Sequence, residues 1–170
     1  MIRKILATTA LFLLMPFAAN ADIVTNMVGD ARTGVPDNLE VDVTVTIVDG
    51  IATVTVDLSP MTTTHPNVKM QNFFFNMDGI ADLYSVVLVE PAHWVSTVGT
   101  NAQGSGGADF DFELVENQGQ PKTNINIGQN LVFTVALFSC AAITDAHFTS
   151  AESSSSDVGS GQIGAHLQAL

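Results

Sequence analysis

Three acidic residues, Asp109, Asp111 and Glu113, stand at alternate positions in the segment ADFDFELV. In a β-strand alternate side chains point to the same face, so the three carboxylates would lie side by side. Like charges in that arrangement repel unless water solvates them or a cation bridges them. Carboxylate oxygens are ligands that Ca²⁺ prefers. The spacing therefore predicts a candidate calcium site, with an ordinary solvated acidic face as the alternative.

The histidines do not form a metal motif. His65, His93, His147 and His166 are spread along the chain, and no two have the H-x-H or H-x₃-H spacing of transition-metal ligands. We therefore expect four separate histidines. The sequence requires no cofactor, and calcium is the one candidate.

The chain lacks the motifs of common enzymes. Gly104-Ser105-Gly106 does not fit the G-x-S-x-G turn of a serine hydrolase, and there is no G-x₄-G-K-[ST] phosphate loop. No pair among the seventeen acidic residues is singled out for glycoside hydrolysis. These features predict a non-enzymatic protein, and a secreted hydrolase is the least favoured alternative.

Residues 1–21 have the three parts of a cleavable export signal. Arg3 and Lys4 precede the uncharged run from Ile5 to Phe17, and Ala19-Asn20-Ala21 supplies the small residues of a cleavage site. The run is shorter than the ~20 apolar residues of a membrane anchor. We expect a mature chain of residues 22–170, without a transmembrane segment, that is secreted or retained in the periplasm.

The mature chain is strongly acidic. It keeps three basic residues against seventeen acidic ones, a net charge of −14. Nucleic acid and anionic lipid need a basic patch, so neither is an expected partner, whereas divalent cations are. The single cysteine, Cys140, cannot form an internal disulfide and is expected to be a buried thiol.

Alternating apolar residues predict an all-β fold. Residues 41–58 alternate on both sides of Asp49-Gly50, which is a strong hairpin signal. A two-residue turn at 49–50 would pair Val45 with Val54 and Asp42 with Asp57. Its outer threonines form a T-x-T array, a pattern that matches an ice or carbohydrate lattice when long and flat but is more often an ordinary solvent face. The array consists of Thr44, Thr46, Thr53 and Thr55.

Further short strands, separated by turn residues, favour one antiparallel β-sandwich or jelly-roll-like domain over residues 22–170. A turn of helix is expected around Thr144–Thr149, and the Ser/Gly-rich segment at about 150–161 is predicted to be a flexible loop. The expected strands are Met70–Asn76, Leu83–Val89, His93–Val98, Ala108–Val115, Asn130–Ser139 and Gln162–Leu167.

From about residue 70 onward the chain resembles the β-rich ectodomains of bacterial exosortase-dependent surface proteins, which carry PEP-CTERM or VPLPA-type sorting tails. The similar features are FNMDG at 75–79, Trp94, the Gly-rich loop before FDF at 110–112, LVFT at 131–134 and the closing GAHLQ at 164–168. The resemblance implies a Gram-negative exported domain associated with biofilm or exopolysaccharide. That group continues into a sorting tail that this sequence lacks, so release is expected.

Two functions from different classes follow. The first is a secreted, non-enzymatic matrix, surface or adhesive component that self-associates with the help of calcium. The alternative is a carbohydrate-binding module for an extracellular polysaccharide. Its aromatic platforms would come from Trp94, Tyr84 and Phe73–Phe75, although most of these are expected in the core.

Overall fold

The computed structural model describes residues 21–28, 39–103, 109–117, 124–139, 141–149, 153–155 and 159–168. Nearly all of the predicted export signal and the thiol of Cys140 lie outside these residues, so both assignments stay predictions.

Strands dominate the described part of the chain. Their bounds are β1 Ala21–Val28, β2 Glu40–Val48, β3 Ile51–Asp57, β4 Lys69–Phe75, β5 Tyr84–Glu90, β6 Trp94–Gln103, β7 Asp109–Glu116, β8 Ile125–Asn126, β9 Asn130–Leu137, β10 Ser153–Ser155, β11 Gly159–Gly161 and β12 Ile163–Gln168. Two short 3₁₀ helices span Ser59–Thr62 and Ala81–Leu83, and helix α1 spans Ala146–Thr149. Helix α1 confirms the predicted helical turn. None of the helices in the described ranges is long and apolar enough to cross a membrane.

The strands form two main antiparallel sheets. Sheet A has the order β1-β2-β3-β9-β5, and sheet B has the order β12-β4-β7-β6 with β8 paired to β4. The chain crosses between the sheets repeatedly, because β4 follows β3 and β9 follows β8. The predicted antiparallel β-sandwich is confirmed.

The β2–β3 hairpin has the register that the Asp49-Gly50 turn predicts. Both turn residues have positive φ, 52° for Asp49 and 75° for Gly50, as a two-residue hairpin turn requires. The cross-strand pairs include Val43–Val56, Val45–Val54, Ile47–Ala52, Thr44–Thr55 and Asp42–Asp57. Apolar pairs face sheet B and are buried, whereas the polar pairs form the outer face.

Aromatic rings join the two sheets across the core. Phe133 of sheet A lies 5.1 Å from Phe75 and 6.1 Å from Phe73 of sheet B, measured between ring centroids. Phe112 stacks on Phe75 at 4.8 Å and meets the edge of Tyr84 at 6.4 Å. This packing fixes how the outer face of each sheet is presented.

The structure adds elements that the sequence patterns did not indicate. Strand β1 pairs along its whole length with β2, and β8 is a two-residue strand. The segment predicted as a flexible loop at about 150–161 contains β10 and β11, which pair with each other. Its mobility stays a prediction.

Candidate functional site

Strand β7 carries the three predicted calcium ligands. Phe112 and Leu114 alternate with Asp111 and Glu113 and are fully buried, whereas the two acids are half-buried. Asp109 is the first residue of β7, but its side chain is not among those that the structure describes.

The carboxylates of Asp111 and Glu113 accept hydrogen bonds from different residues, one on β4 and one that follows β4 in the chain. The main-chain N–H of Met77 donates to Asp111 Oδ2 at 3.1 Å, and Asn72 Nδ2 donates to Glu113 Oε1 at 2.5 Å. No group of three or more His, Cys, Asp or Glu side chains in the described ranges could hold a metal ion. Calcium binding by Asp109, Asp111 and Glu113 therefore stays a prediction.

A second acidic pair lies at one end of sheet A. Asp42 and Asp57 are cross-strand neighbours, as the hairpin register predicts. Asp57 Oδ1 accepts hydrogen bonds from the main-chain N–H of Ser59 at 2.8 Å and from its hydroxyl at 2.7 Å. This carboxylate therefore fixes the chain as it leaves β3.

The histidines lie on separate elements, as predicted. His65 follows the first 3₁₀ helix, His93 precedes β6, and His166 lies on β12. His147 lies in α1, where its Nδ1 accepts a hydrogen bond from the main-chain N–H of Thr144 at 3.1 Å. Its ring also meets the edge of Tyr84, with centroids 6.1 Å apart.

The proposed aromatic platforms are not on the surface. Trp94 and Tyr84 are each 3% exposed, and Phe73, Phe74 and Phe75 are also buried. Three consecutive phenylalanines can all be buried because Phe74, which points away from the core, stacks on Phe110 with ring centroids 5.6 Å apart. The prediction of a sugar-stacking platform on these residues is wrong, and the expectation that most of them belong to the core is confirmed.

Burial also raises the pKa of the Tyr84 phenol above its ordinary value of 10.0, and the carboxylates of Asp78 and Asp111 raise it further. The phenol donates a hydrogen bond to the main-chain oxygen of Asp78. Tyr84 is thus a neutral donor that ties the start of β5 to the loop after β4.

The outer face of sheet A is the surface that the structure singles out. One cross-strand row runs over four strands through Thr46, Thr53, Thr134 and Val87. A second row begins with Thr44 and Thr55, and the hairpin tip adds Val48 and Ile51. We call these residues the uncharged face. They are Thr44, Thr46, Val48, Ile51, Thr53, Thr55, Ser85, Val87, Val132, Thr134 and Ala136.

Charge is confined to the border of this face. Asp42 and Asp57 lie at one end, Glu90 lies at one edge, opposite Val132, and backbone register places Asp22 of the edge strand β1 opposite Thr46. Neighbouring strands are about 4.8 Å apart and alternate residues along a strand about 6.7 Å apart, so four strands and three rows make a patch roughly 14 Å square. A protein with seventeen acidic residues thus keeps an uncharged surface on which most side chains are β-branched.

The threonine hydroxyls of the uncharged face have no hydrogen-bond partner among the residues that the structure describes. Within the described ranges, no side-chain hydrogen bond engages the hydroxyls of the face threonines. Elsewhere Thr62, Thr97 and Thr149 donate theirs to main-chain oxygens. The face therefore offers hydroxyl groups and methyl groups together at regular spacing.

The T-x-T pattern predicted the first four threonines of this face but not its extent. Thr134 and Val87 belong to the uncharged face because β9 pairs with β3 and β5 pairs with β9. These strands are far apart in sequence. The absence of charged residues from the outer face of β9 could have been predicted from the sequence. The residues that alternate with its buried positions are Val132, Thr134 and Ala136, and all three are uncharged.

No family model matches the chain, and no curated protein matches it. Among solved structures, it is similar to biomass-sensing modules from Rsgi-like proteins of Clostridium thermocellum, described as resembling a family 3 carbohydrate-binding module of the cellulosome. The identity is 12%, the TM-score is 0.35, and the match covers 69% of this chain and 82% of that chain. A likeness this distant indicates nothing about what this chain binds, and the β-sandwich is established by its own two sheets.

Proposed function

We propose that this protein is an exported, non-enzymatic β-sandwich of the cell surface or extracellular matrix that contacts a polysaccharide through the uncharged face. The observation that carries the proposal is the row Thr46, Thr53, Thr134 and Val87, four uncharged residues that are cross-strand neighbours on adjacent strands.

The chemistry of the face suits a sugar chain. A threonine hydroxyl both donates and accepts hydrogen bonds, as a sugar hydroxyl does. The threonine methyls and the side chains of Val87 and Val132 can pack on the C–H groups of the sugar rings. Since the hydroxyls have no partner inside the described protein, a ligand that uses them breaks no existing side-chain hydrogen bond.

Charge favours a neutral polysaccharide over an acidic one. A uronic acid polymer would approach a mature domain of net charge −14 and would meet Asp42, Asp57 and Glu90 around the face. Such repulsion lowers the rate of association at low salt. A neutral chain meets no such barrier.

The titratable groups also favour a binding role. Asp57 fixes the end of β3, Asp111 and Glu113 bond to the β4 strand and its extension, and His147 bonds within its own helical turn. Each of these groups has a structural partner rather than a free approach to a substrate. We expect no turnover of glycosides or esters.

Affinity electrophoresis of the mature protein through gels that contain dextran, hydroxyethyl cellulose or alginate tests the proposal. We expect retardation by a neutral polymer and none by alginate. Replacing Thr46, Thr53 and Thr134 together with valine removes the hydroxyls, keeps the β-branched shape, and is expected to reduce retention strongly.

The matched control is Thr97→Val on the outer face of sheet B, where the exposed threonine donates to the main-chain oxygen of Glu113. It is expected to leave retention unchanged. Equal losses in both variants would contradict a binding role for the uncharged face. Release of reducing sugar by the wild-type protein would contradict the non-enzymatic assignment.

A further inference from the structure

A second surface lies at the end of sheet A where β5 begins and β9 ends. Ile80, Leu83 and Phe138 are 67%, 50% and 69% exposed. The main-chain N–H of Leu83 donates to the oxygen of Ile80 at 2.9 Å, and that of Phe138 donates to the oxygen of Leu83 at 3.0 Å. These contacts bring the backbones of three exposed, large apolar residues together, and we call these residues the apolar corner.

The backbone of the apolar corner is anchored. The main-chain N–H of Asp78 donates to the oxygen of His147 at 2.9 Å, and the Tyr84 hydroxyl donates to the oxygen of Asp78. The segment from Asp78 to Tyr84 is therefore held at both ends. Apolar side chains exposed on a held backbone lose little conformational freedom on binding, and clustered exposed apolar residues mark interaction sites.

Carboxylates border the apolar corner. Asp78 and Asp82 are exposed within the same segment, and Asp49 is exposed at the hairpin tip of the same end of sheet A. Lys69 is the one lysine or arginine in the described ranges, and it lies at the opposite end of β4 from Asp78. The corner thus combines apolar and negatively charged groups.

We infer that the apolar corner docks a segment of another protein that carries both apolar side chains and lysine or arginine. A second copy of this chain would bring its own carboxylates against Asp78 and Asp82, and an anionic membrane would be repelled in the same way. A basic, apolar segment satisfies both features, since its apolar side chains cover Phe138 while its cations meet the aspartates. The corner adjoins the uncharged face, since Leu83 and Phe138 follow the Ser85–Ala136 pair at this end of sheet A. A peptide-binding assay without polysaccharide therefore tests the docking separately.

Fluorescence anisotropy with three labelled peptides of equal length tests the inference. The first is an amphipathic peptide of leucine and lysine, the second replaces leucine with serine, and the third replaces lysine with glutamate. We expect the leucine–lysine peptide to bind at least about tenfold more tightly than either control peptide. Phe138→Ser and Leu83→Ser are each expected to weaken that binding about tenfold or more.

The control variant is Val98→Ser, since Val98 is a 48% exposed apolar residue on β6 in the other sheet. It is expected to leave the affinity unchanged, and circular dichroism checks that each variant is folded. Equal affinity for the leucine–lysine and serine–lysine peptides, or no effect of Phe138→Ser, would overturn the inference. Dimerisation in sedimentation, or flotation with phosphatidylglycerol vesicles, would also overturn it if Phe138→Ser abolished either one.

Discussion

Gly50 at the tip of the β2–β3 hairpin provides a sharp test of how the uncharged face is held. Its φ is +75°, a conformation that residues with a side chain adopt only at a cost. A Cβ atom built at Gly50 would lie 2.9 Å from Ala142 Cα and 3.0 Å from Ala142 Cβ. The main-chain oxygen of Gly50 also accepts a hydrogen bond from the N–H of Ile143 at 3.0 Å.

Gly50→Ala should therefore destabilise the fold in two ways. The positive φ costs about 1–2 kcal/mol for an L-residue. The contact with the main chain of Ala142 forces the segment around Ile143 to move, and loss of its hydrogen bond to residue 50 costs about 1 kcal/mol more. We expect a total of about 2–3 kcal/mol. Gly128→Ala should be destabilised only by the positive φ, because Gly128 has a φ of +82° and no atom lies within 4 Å of its Cβ position.

Urea unfolding of the mature protein, followed by circular dichroism, measures the two free energies of unfolding. Gly50→Ala should be less stable than Gly128→Ala by about 1 kcal/mol, or about 2–4 °C in Tm for a domain of this size. Equal stability of the two variants would refute the packing of the hairpin tip on residues 142–143.

Two further predictions concern titratable groups and calcium. Because the pKa of Tyr84 is raised in the folded state, mainly by burial, its contribution to stability is complete below its unfolded pKa and is lost as the pH rises through the folded pKa. The urea midpoint of the wild-type protein should fall as the pH rises above about 10, and in Tyr84→Phe this fall should be smaller. An identical pH dependence in the two proteins would contradict a contribution of Tyr84 ionisation to stability. If Asp109, Asp111 and Glu113 bind calcium, millimolar CaCl₂ should raise Tm relative to EDTA, and Glu113→Gln should reduce the rise. An equal rise in that variant would place the ion elsewhere.

The features predicted best from the sequence were those fixed by local chemistry. The Asp49-Gly50 turn allows one hairpin register, and the alternation of valine with threonine selects the buried face of both strands. The same reasoning found most other strands to within a few residues. Strand β1 was missed because its apolar residues occur as the adjacent pairs Ile23-Val24 and Met27-Val28 and so do not alternate with polar ones.

Long-range pairing limited the prediction of the candidate site. Which strands flank β3 depends on the packing of the whole sandwich, so the sequence alone could not join Thr134 and Val87 to the hairpin threonines. The same limit applies to Asp111 and Glu113. Their shared strand face follows from the sequence spacing, but their separate hydrogen-bond partners, Met77 and Asn72, depend on how β7 pairs with β4.

The central claim is that the uncharged face contacts a polysaccharide, and a matched pair of charged variants tests it most directly. Thr53 lies in the middle of the row across sheet A, and Thr97 lies on the outer face of sheet B. The measurement is the dissociation constant for the neutral polymer that retards the wild-type protein in affinity electrophoresis. We predict that Thr53→Lys weakens binding at least about tenfold, because a long charged side chain interrupts the row of uncharged side chains. Thr97→Lys should bind like the wild type. If no neutral polymer binds the wild-type protein, or if both variants bind equally, the claim is contradicted.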